Sequence, residues 1–233
     1  MQSSDIIKKA LLNYKENELI FASKLYKKKL NNQITEAAFY KTIERMCKSG
    51  TLIKIAKGTY HLPKISKYGI VPPTDKEIIS AFTNNGTGTI VGYSLYNNLN
   101  LTTQVSKSID VMSSALDCFT KTIRNVTVKQ VKIDYSEKVI NMIHSLEVLQ
   151  NYYNIQDLNN LSFLMYTKII SEQYSDEVFE KVINVINYKK STIAFLREIL
   201  NYYKIENNLN MYLSSLSEYK YPKMEEIYET ASV

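Results

Sequence analysis

Apolar residues near the start of the chain recur with the period of a helix. Ile7, Ala10, Leu11 and Tyr14 fall at i, i+3, i+4 and i+7, behind Ser4 or Asp5 as a cap and with Lys8 and Lys9 on the other side. Leu19-Ile20-Phe21, after Glu18, is a short run of strand character. Residues 22–29 predict a second helix, with Leu25 inward and Lys24, Lys27, Lys28 and Lys29 mostly outward. Asn31-Asn32 then turns the chain. Thr35 is suited to cap a third helix, Glu36 puts negative charge in its first turn, and Phe39, Ile43 and Met46 make one apolar stripe. Its other face carries Ala37, Lys41, Glu44, Arg45 and Lys48, and Gly50 sits where a helix needs a left-handed stop. Two short strands follow, Leu52 to Ala56 and Thr59 to Leu62, joined by Lys57-Gly58.

Helix, short strand, helix, helix, hairpin is the order of a winged helix-turn-helix, in which the second helix of the motif enters the major groove. The third helix is therefore the expected recognition helix. Thr35, Ala37, Lys41, Arg45 and Lys48 are its expected DNA-binding residues, joined by Lys54 and Lys57 of the wing and by Lys28. Read blandly, the same cations are an ordinary solvated surface, and Glu44 among them fits either selectivity or an ion pair.

Beyond the hairpin, Lys64 to Pro73 reads as a junction, because the Pro72-Pro73 pair cannot continue a helix or pair fully in a sheet. The expected domains are 1–67, which binds DNA, and 68–233. In the second, a mixed segment to residue 134 predicts a helix from Thr74 or Asp75 and strands at Thr87 to Val91, Ile109 to Ser114 and Asn125 to Asp134, with a short helix at Ser94 to Leu99. From residue 135 the pattern is helical throughout. Val139, Ile143, Leu146 and Leu149 mark one stripe. Leu158, Leu161, Leu164, Met165 and Ile169 mark the next, capped by Asp157. Further stripes are Phe179, Val182, Ile183 and Ile186, then Ile193, Leu196, Ile199, Leu200 and Tyr203, then Leu209, Leu213 and Leu216, before a polar tail from Pro222. The fold class expected is α+β: a winged helix-turn-helix, a mixed α/β segment and a C-terminal helical bundle.

Charge sharpens this division. The 233 residues carry a net charge of +6. Residues 1–67 hold 14 Lys and Arg against 5 Asp and Glu, whereas residues 68–233 hold 15 against 18. The basic excess lies wholly in the segment with the DNA-binding pattern, and clustered cations supply most non-specific DNA affinity. At 45% hydrophobic and 22% charged residues the chain is ordinary globular material.

Little points to catalysis or to a cofactor. Cys47 and Cys118 are too few and too far apart for a metal box or a disulfide framework, which fits a reducing cytoplasm. The two histidines, His61 and His144, are isolated. There is no nucleophile elbow, HExxH pattern or Walker loop, and the glycines of Gly86-Thr87-Gly88 match no nucleotide fingerprint and read as turn residues. Asp110, Asp117 and Asp134 do not converge in any motif. The start of the chain lacks the apolar region of a signal peptide, and no run approaches the ~20 apolar residues of a membrane span. The expectation is a cytoplasmic protein that is not an enzyme, with no cofactor, no metal and no membrane partner.

The order of these pieces carries a resemblance. Gly58-Thr59-Tyr60 closes the hairpin. The proline junction VPPTDKEIISAF follows, and then GTIVGYSLYNNLNLTTQVSKSIDVMSS, which contains Asn100-Leu101-Thr102-Thr103-Gln104-Val105-Ser106. Over roughly residues 1–134 this resembles the AbiEi family of abortive-infection antitoxins. Asn100 and Ser106 depart from that family's pattern, standing where it usually has glycine and often proline. The resemblance implies an antitoxin and transcriptional autorepressor of a toxin–antitoxin operon, with two copies binding cooperatively to inverted repeats in its own promoter. It also implies antagonism of a nucleotidyltransferase-like toxin through the C-terminal domain, often without a stable complex. The alternative from another class is a winged-helix regulator whose distal part senses a ligand or dimerises.

Overall fold

The computed structural model describes residues 3–232, which fold as an α+β protein with three small sheets and divide into two compact units. The first unit runs to Ala81 and includes Thr122–Val126. Its elements are α1 (Ser3–Leu11), β1 (Leu19–Phe21), α2 (Ala22–Leu25), α3 (Glu36–Lys48), β2 (Ile53–Ala56), β3 (Thr59–His61), β4 (Lys64–Ser66), β5 (Gly69–Val71) and α4 (Asp75–Thr83). The apolar stripes meet as their spacing requires. Ile7 and Leu11 of α1, Leu25 of α2, and Phe39, Ile43 and Met46 of α3 form one core with Ile20, Leu30 and Leu52. The Phe39 ring lies 5.3 Å from that of Tyr26. Beside the helices, β3 pairs antiparallel with both β1 and β2, so that His61 stands opposite Leu19 on one side and Ile53 on the other.

Two expectations for this unit need correction. The second helix does not continue regularly to residue 29. After α2 the chain makes a π turn over Tyr26–Leu30, where the Asn31 amide donates to the Tyr26 carbonyl at 2.9 Å. The wider turn lets Leu25 and Leu30, five residues apart, both enter the core while Lys27, Lys28 and Lys29 stay in water. Nor is Lys64 to Pro73 a bare junction. β4 and β5 pair antiparallel, with Ile65 opposite Ile70, and only Pro72-Pro73 ends the pairing. Residue 67, the expected boundary, is in the turn of that hairpin. The unit extends past it because Arg124 donates to the Pro73 carbonyl at 2.7 Å and Asn125 to Asp75 at 2.9 Å. α4 then starts in a reciprocal cap, the Thr74 amide donating to Glu77 and the Glu77 amide to the Thr74 hydroxyl.

The second unit comprises Phe82–Lys121 and the chain from Thr127 onward. It contains β6 (Gly88–Val91), α5 (Tyr93–Asn98), β7 (Ile109–Ser113), β8 (Thr120–Ile123) and β9 (Val126–Gln130). These strands form a sheet of order β6-β7-β9-β8, in which the tip of the β8–β9 hairpin belongs to the first unit. β8 falls outside the expected strands, and the last strand is shorter than expected. Val131 leaves it, its amide donating to the Ser113 carbonyl. Gly88 is a strand residue rather than a turn residue, paired with Ser113, and a Cβ there would overlap the carbonyl oxygens of Phe82 and Met112.

The helices α6 (Glu137–Asn151), α7 (Asn160–Gln173), α8 (Asp176–Ile183), α9 (Lys190–Tyr202) and α10 (Met224–Ala231) complete the unit. Tyr152, Phe163 and Phe195 pack ring against ring at 4.8–6.1 Å. Four expectations fail here. α7 is capped by Asn159, not Asp157, and buries Phe163, Tyr166 and Ile170. The stripe expected inside leaves Leu161, Met165 and Ile169 at 57%, 64% and 43% exposed. Leu209, Leu213 and Leu216 do not make a helix. Leu209–Tyr212 is one 3-10 turn, Leu213 is extended and Leu216 is 96% exposed. The polar tail instead carries α10, whose Met224 and Ile227 are buried. Among the described residues no helix is long and apolar enough to cross a membrane.

Candidate nucleic-acid interface

α3 places its side chains as its sequence demands. The Thr35 hydroxyl accepts from the Ala38 amide at 3.3 Å, fixing the start of the helix. The Ser49 amide closes it on the Arg45 carbonyl, and Gly50 follows with φ of +75°. Because Phe39, Ile43 and Met46 point inward, Ala37, Lys41, Glu44, Arg45 and Lys48 form one exposed face.

The cations on this face are not equivalent. Lys48 Nζ lies 2.8 Å from Glu44 Oε1. That contact, with Arg45 and Lys41 nearby, holds the Glu44 carboxyl below its ordinary range. Lys41 and Arg45 have no acidic partner within salt-bridge distance among the described residues. Both line a groove of about 680 Å³ between α1 and the length of α3 from Ala38 to Ser49. The groove adds residues that were not singled out as DNA-binding from sequence: Lys8 from α1, and Thr42, Ser49 and Thr51. The Ser49 and Thr51 hydroxyls are 2.9 Å apart. Three cations and several hydroxyls along a concave strip match what a phosphate backbone needs. No local pattern could have found them together, because Lys8 and Thr51 are 43 positions apart in the chain.

The remaining expected residues lie elsewhere on the unit. Lys54 is exposed on β2, opposite Tyr60 of β3, and Lys57 is exposed in the turn between these strands. Lys28 is exposed on the π turn, where its neighbour Lys29 lies over the Tyr14 ring at 5.4 Å. Of the expected DNA-binding residues only Lys41 and Arg45 line the groove; Thr35, Ala37, Lys48, Lys28, Lys54 and Lys57 do not. Cys47 is half-buried and burial raises its thiol.

The second unit places its chemistry-bearing groups in structural roles. His144 is packed against the sheet, its Nε2 2.7 Å from the Thr89 hydroxyl, and burial pushes its pKa down to about 4. The Asn100–Gln104 element forms a latch. Asn100 takes φ of +57°, Leu101 is buried and accepts from the Asn159 amide at 2.8 Å, and the Thr102 hydroxyl donates to the Gln156 carbonyl at 2.7 Å. Gln104 donates to Asp157. Arg197 is engaged by Asn210 at 2.8 Å, so it is tied into the unit. A cleft of about 310 Å³ lies between Gly92, Tyr93 and Tyr96 on one side and Asp110, Glu147 and Asn151 on the other. Burial raises the Glu147 carboxyl, and Asp110 adds to the rise. Among the described residues no three His, Cys, Asp or Glu side chains gather as a metal site.

Comparison with known proteins finds no curated protein that matches this chain. Residues 7–161 match a family of unknown function, DUF6088, so the segment that bears the family's pattern contains α3, the groove cations Lys8, Lys41 and Arg45, and the latch, and the chain belongs to that family.

Proposed function

We propose that the chain is a DNA-binding antitoxin and transcriptional autorepressor, in which residues up to 67 act as a winged helix-turn-helix and the C-terminal helices as a bundle. The observation that carries the reading is the exposed face of α3, where Lys41 and Arg45 have no acid within salt-bridge distance among the described residues and share a groove with Lys8. α3 is the recognition helix, the β2–β3 turn is the wing, and groove contacts to phosphate set the register. The operator is an inverted repeat in the promoter of its own operon, and two copies bind it cooperatively in the cytoplasm. The second unit counteracts a nucleotidyltransferase-like toxin. The left-handed backbone of Asn100 supports the resemblance to the AbiEi antitoxins, since that family usually has glycine there and asparagine is among the residues best able to replace it.

The test is fluorescence anisotropy with DNA from immediately upstream of the gene, against a scrambled duplex, across a range of salt. Tight, cooperative binding to the upstream duplex alone is expected. Equal, weak binding to both would overturn the repressor reading. Co-expression with the neighbouring gene product tests the antitoxin half, with rescue of growth as the expected result. The Tyr93–Glu147 cleft favours a second reading, a winged-helix regulator whose second unit senses a small molecule. Release of DNA by a ligand that also raises the melting temperature would select it.

A further inference from the structure

We propose that the β4–β5 hairpin is a second DNA-contacting element, an arm that enters the minor groove beside the site read by α3. The proposal rests on the DNA-binding reading above. The hairpin is a two-stranded sheet of its own, pairing Lys64 with Val71, Ile65 with Ile70 and Ser66 with Gly69. Ile65, Tyr68 and Ile70 are 76%, 88% and 53% exposed, so the cross-strand isoleucine pair and the tip tyrosine all face water. Two-stranded hairpins gain little stability alone, and a directly opposed apolar pair left in solvent is a cost unless something covers it.

The arm is nonetheless ordered at both ends. At the tip the Ser66 hydroxyl donates to the Gly69 carbonyl at 3.1 Å and accepts from the Tyr68 amide at 3.2 Å. Gly69 takes φ of +109°, a conformation that an L side chain rarely adopts. At the base Arg124 holds the Pro73 carbonyl. From base to tip the three-residue strands span about 10 Å at the usual rise per residue. A preformed arm loses less entropy on docking than a mobile one.

Charge identifies the occupant. From Arg45 to Thr74 there is no Asp or Glu, while Arg45, Lys48, Lys54, Lys57, Lys64 and Lys67 all fall in that stretch. Lys64 and Lys67 are exposed on the arm, and Lys67 Nζ lies 4.9 Å from the Tyr68 ring centroid. Lys64 is close enough to Glu77 to help lower that carboxyl, and the arm still carries two cations beside exposed apolar side chains, which fits a polyanion whose base steps can be unstacked. Minor-groove binders combine Lys or Arg with apolar wedges such as isoleucine in this way.

The experiment compares the full chain with Lys64→Gln/Lys67→Gln and with Ile65→Ser/Ile70→Ser, all on the upstream duplex, with melting curves to establish that each is folded. The charge variant is expected to bind about ten-fold more weakly at physiological salt, with a salt slope shallower by about 2. Both variants are expected to lose minor-groove protection from hydroxyl radicals while keeping protection of guanine N7 in the major groove. Netropsin is expected to weaken the unaltered protein and to have no effect on either variant. An unchanged footprint and slope in folded variants would overturn the arm and leave the α3 reading standing. Failure of the unaltered protein to bind any duplex would overturn both. Binding to phosphatidylserine vesicles that the variants lose, with DNA binding intact, would assign the arm to an anionic membrane surface and also overturn the proposal.

Discussion

Replacing Lys41 and Arg45 together with alanine separates a groove that holds phosphate from a merely basic surface. Both side chains are exposed and line the groove, and neither is paired with an acid within salt-bridge distance among the described residues. Each phosphate neutralised on B-DNA contributes about 0.9 to the slope of log K against log salt, so the double variant should lose about 1.8 from that slope. Across a rise from about 50 to about 200 mM salt, this makes the unaltered protein lose about twelve-fold more affinity than the variant does. Lys48→Ala should change the slope by less than one such step, because Glu44 already offsets that charge at 2.8 Å. Glu44→Gln frees Lys48 and should steepen the slope by about 0.9. The assay is anisotropy at a series of salt concentrations, with urea unfolding to establish that stability is unchanged. A folded Lys41→Ala/Arg45→Ala protein with an unaltered slope would refute the assignment of these two residues, and an effect of Lys48→Ala as large as either would refute the argument from pairing.

Phe39→Ala removes a fully buried ring that packs on Tyr26 and Tyr40, and should cost about 3–5 kcal/mol by urea unfolding, enough to destabilise the first unit as a whole. His144 has a folded pKa of about 4 against an ordinary 6.5. Its stabilising contribution is therefore complete above about pH 6.5, and about 3 kcal/mol of it is lost as pH falls towards 4. Denaturant titrations at pH 7 and pH 4.5 should show that loss, and His144→Gln should reduce the difference. Gly88→Ala should prevent β6 from seating against the Phe82 and Met112 carbonyls, and near-ultraviolet circular dichroism should report loss of the packed second unit. Retained signal and melting temperature in that variant would contradict the close approach.

What the sequence revealed follows from how local each decision is. The cap, stripe and stop of α3 are within a few residues of one another, so its faces are legible and Lys41 and Arg45 emerge with them. The β4–β5 hairpin was hidden because both its faces are exposed, which removes the alternation that marks a strand, and because two prolines directly after it dominate the reading. α7 is apolar on two faces, Phe163-Tyr166-Ile170 and Leu161-Met165-Ile169, and periodicity alone cannot choose between them. The choice was made by the partner helices, not by the helix itself. The leucines at 209, 213 and 216 have helical spacing, yet Asn207 donates to the Ile205 carbonyl and Asn208 to Asp176, so local side-chain bonds take over the backbone there. The groove was only half visible, because Lys8 reaches α3 from another helix and Thr51 from the loop beyond its C-cap.

The latch at Leu101–Gln104 has a consequence for how the protein is made. Thr102 bonds to a residue 54 positions later, and Gln104 to one 53 positions later. At about 5–20 residues per second of synthesis, the latch therefore waits roughly 3–10 s for its partners to exist. During that interval β6 and β7 can pair with each other and pack on α5, but Val91 and Met112, which join the core containing α6, lack that helix. The nascent chain thus passes through a window in which a paired sheet covered only by α5 is open to chaperones and to aggregation, and it closes only when Glu137–Asn151 and the turn after it have left the ribosome.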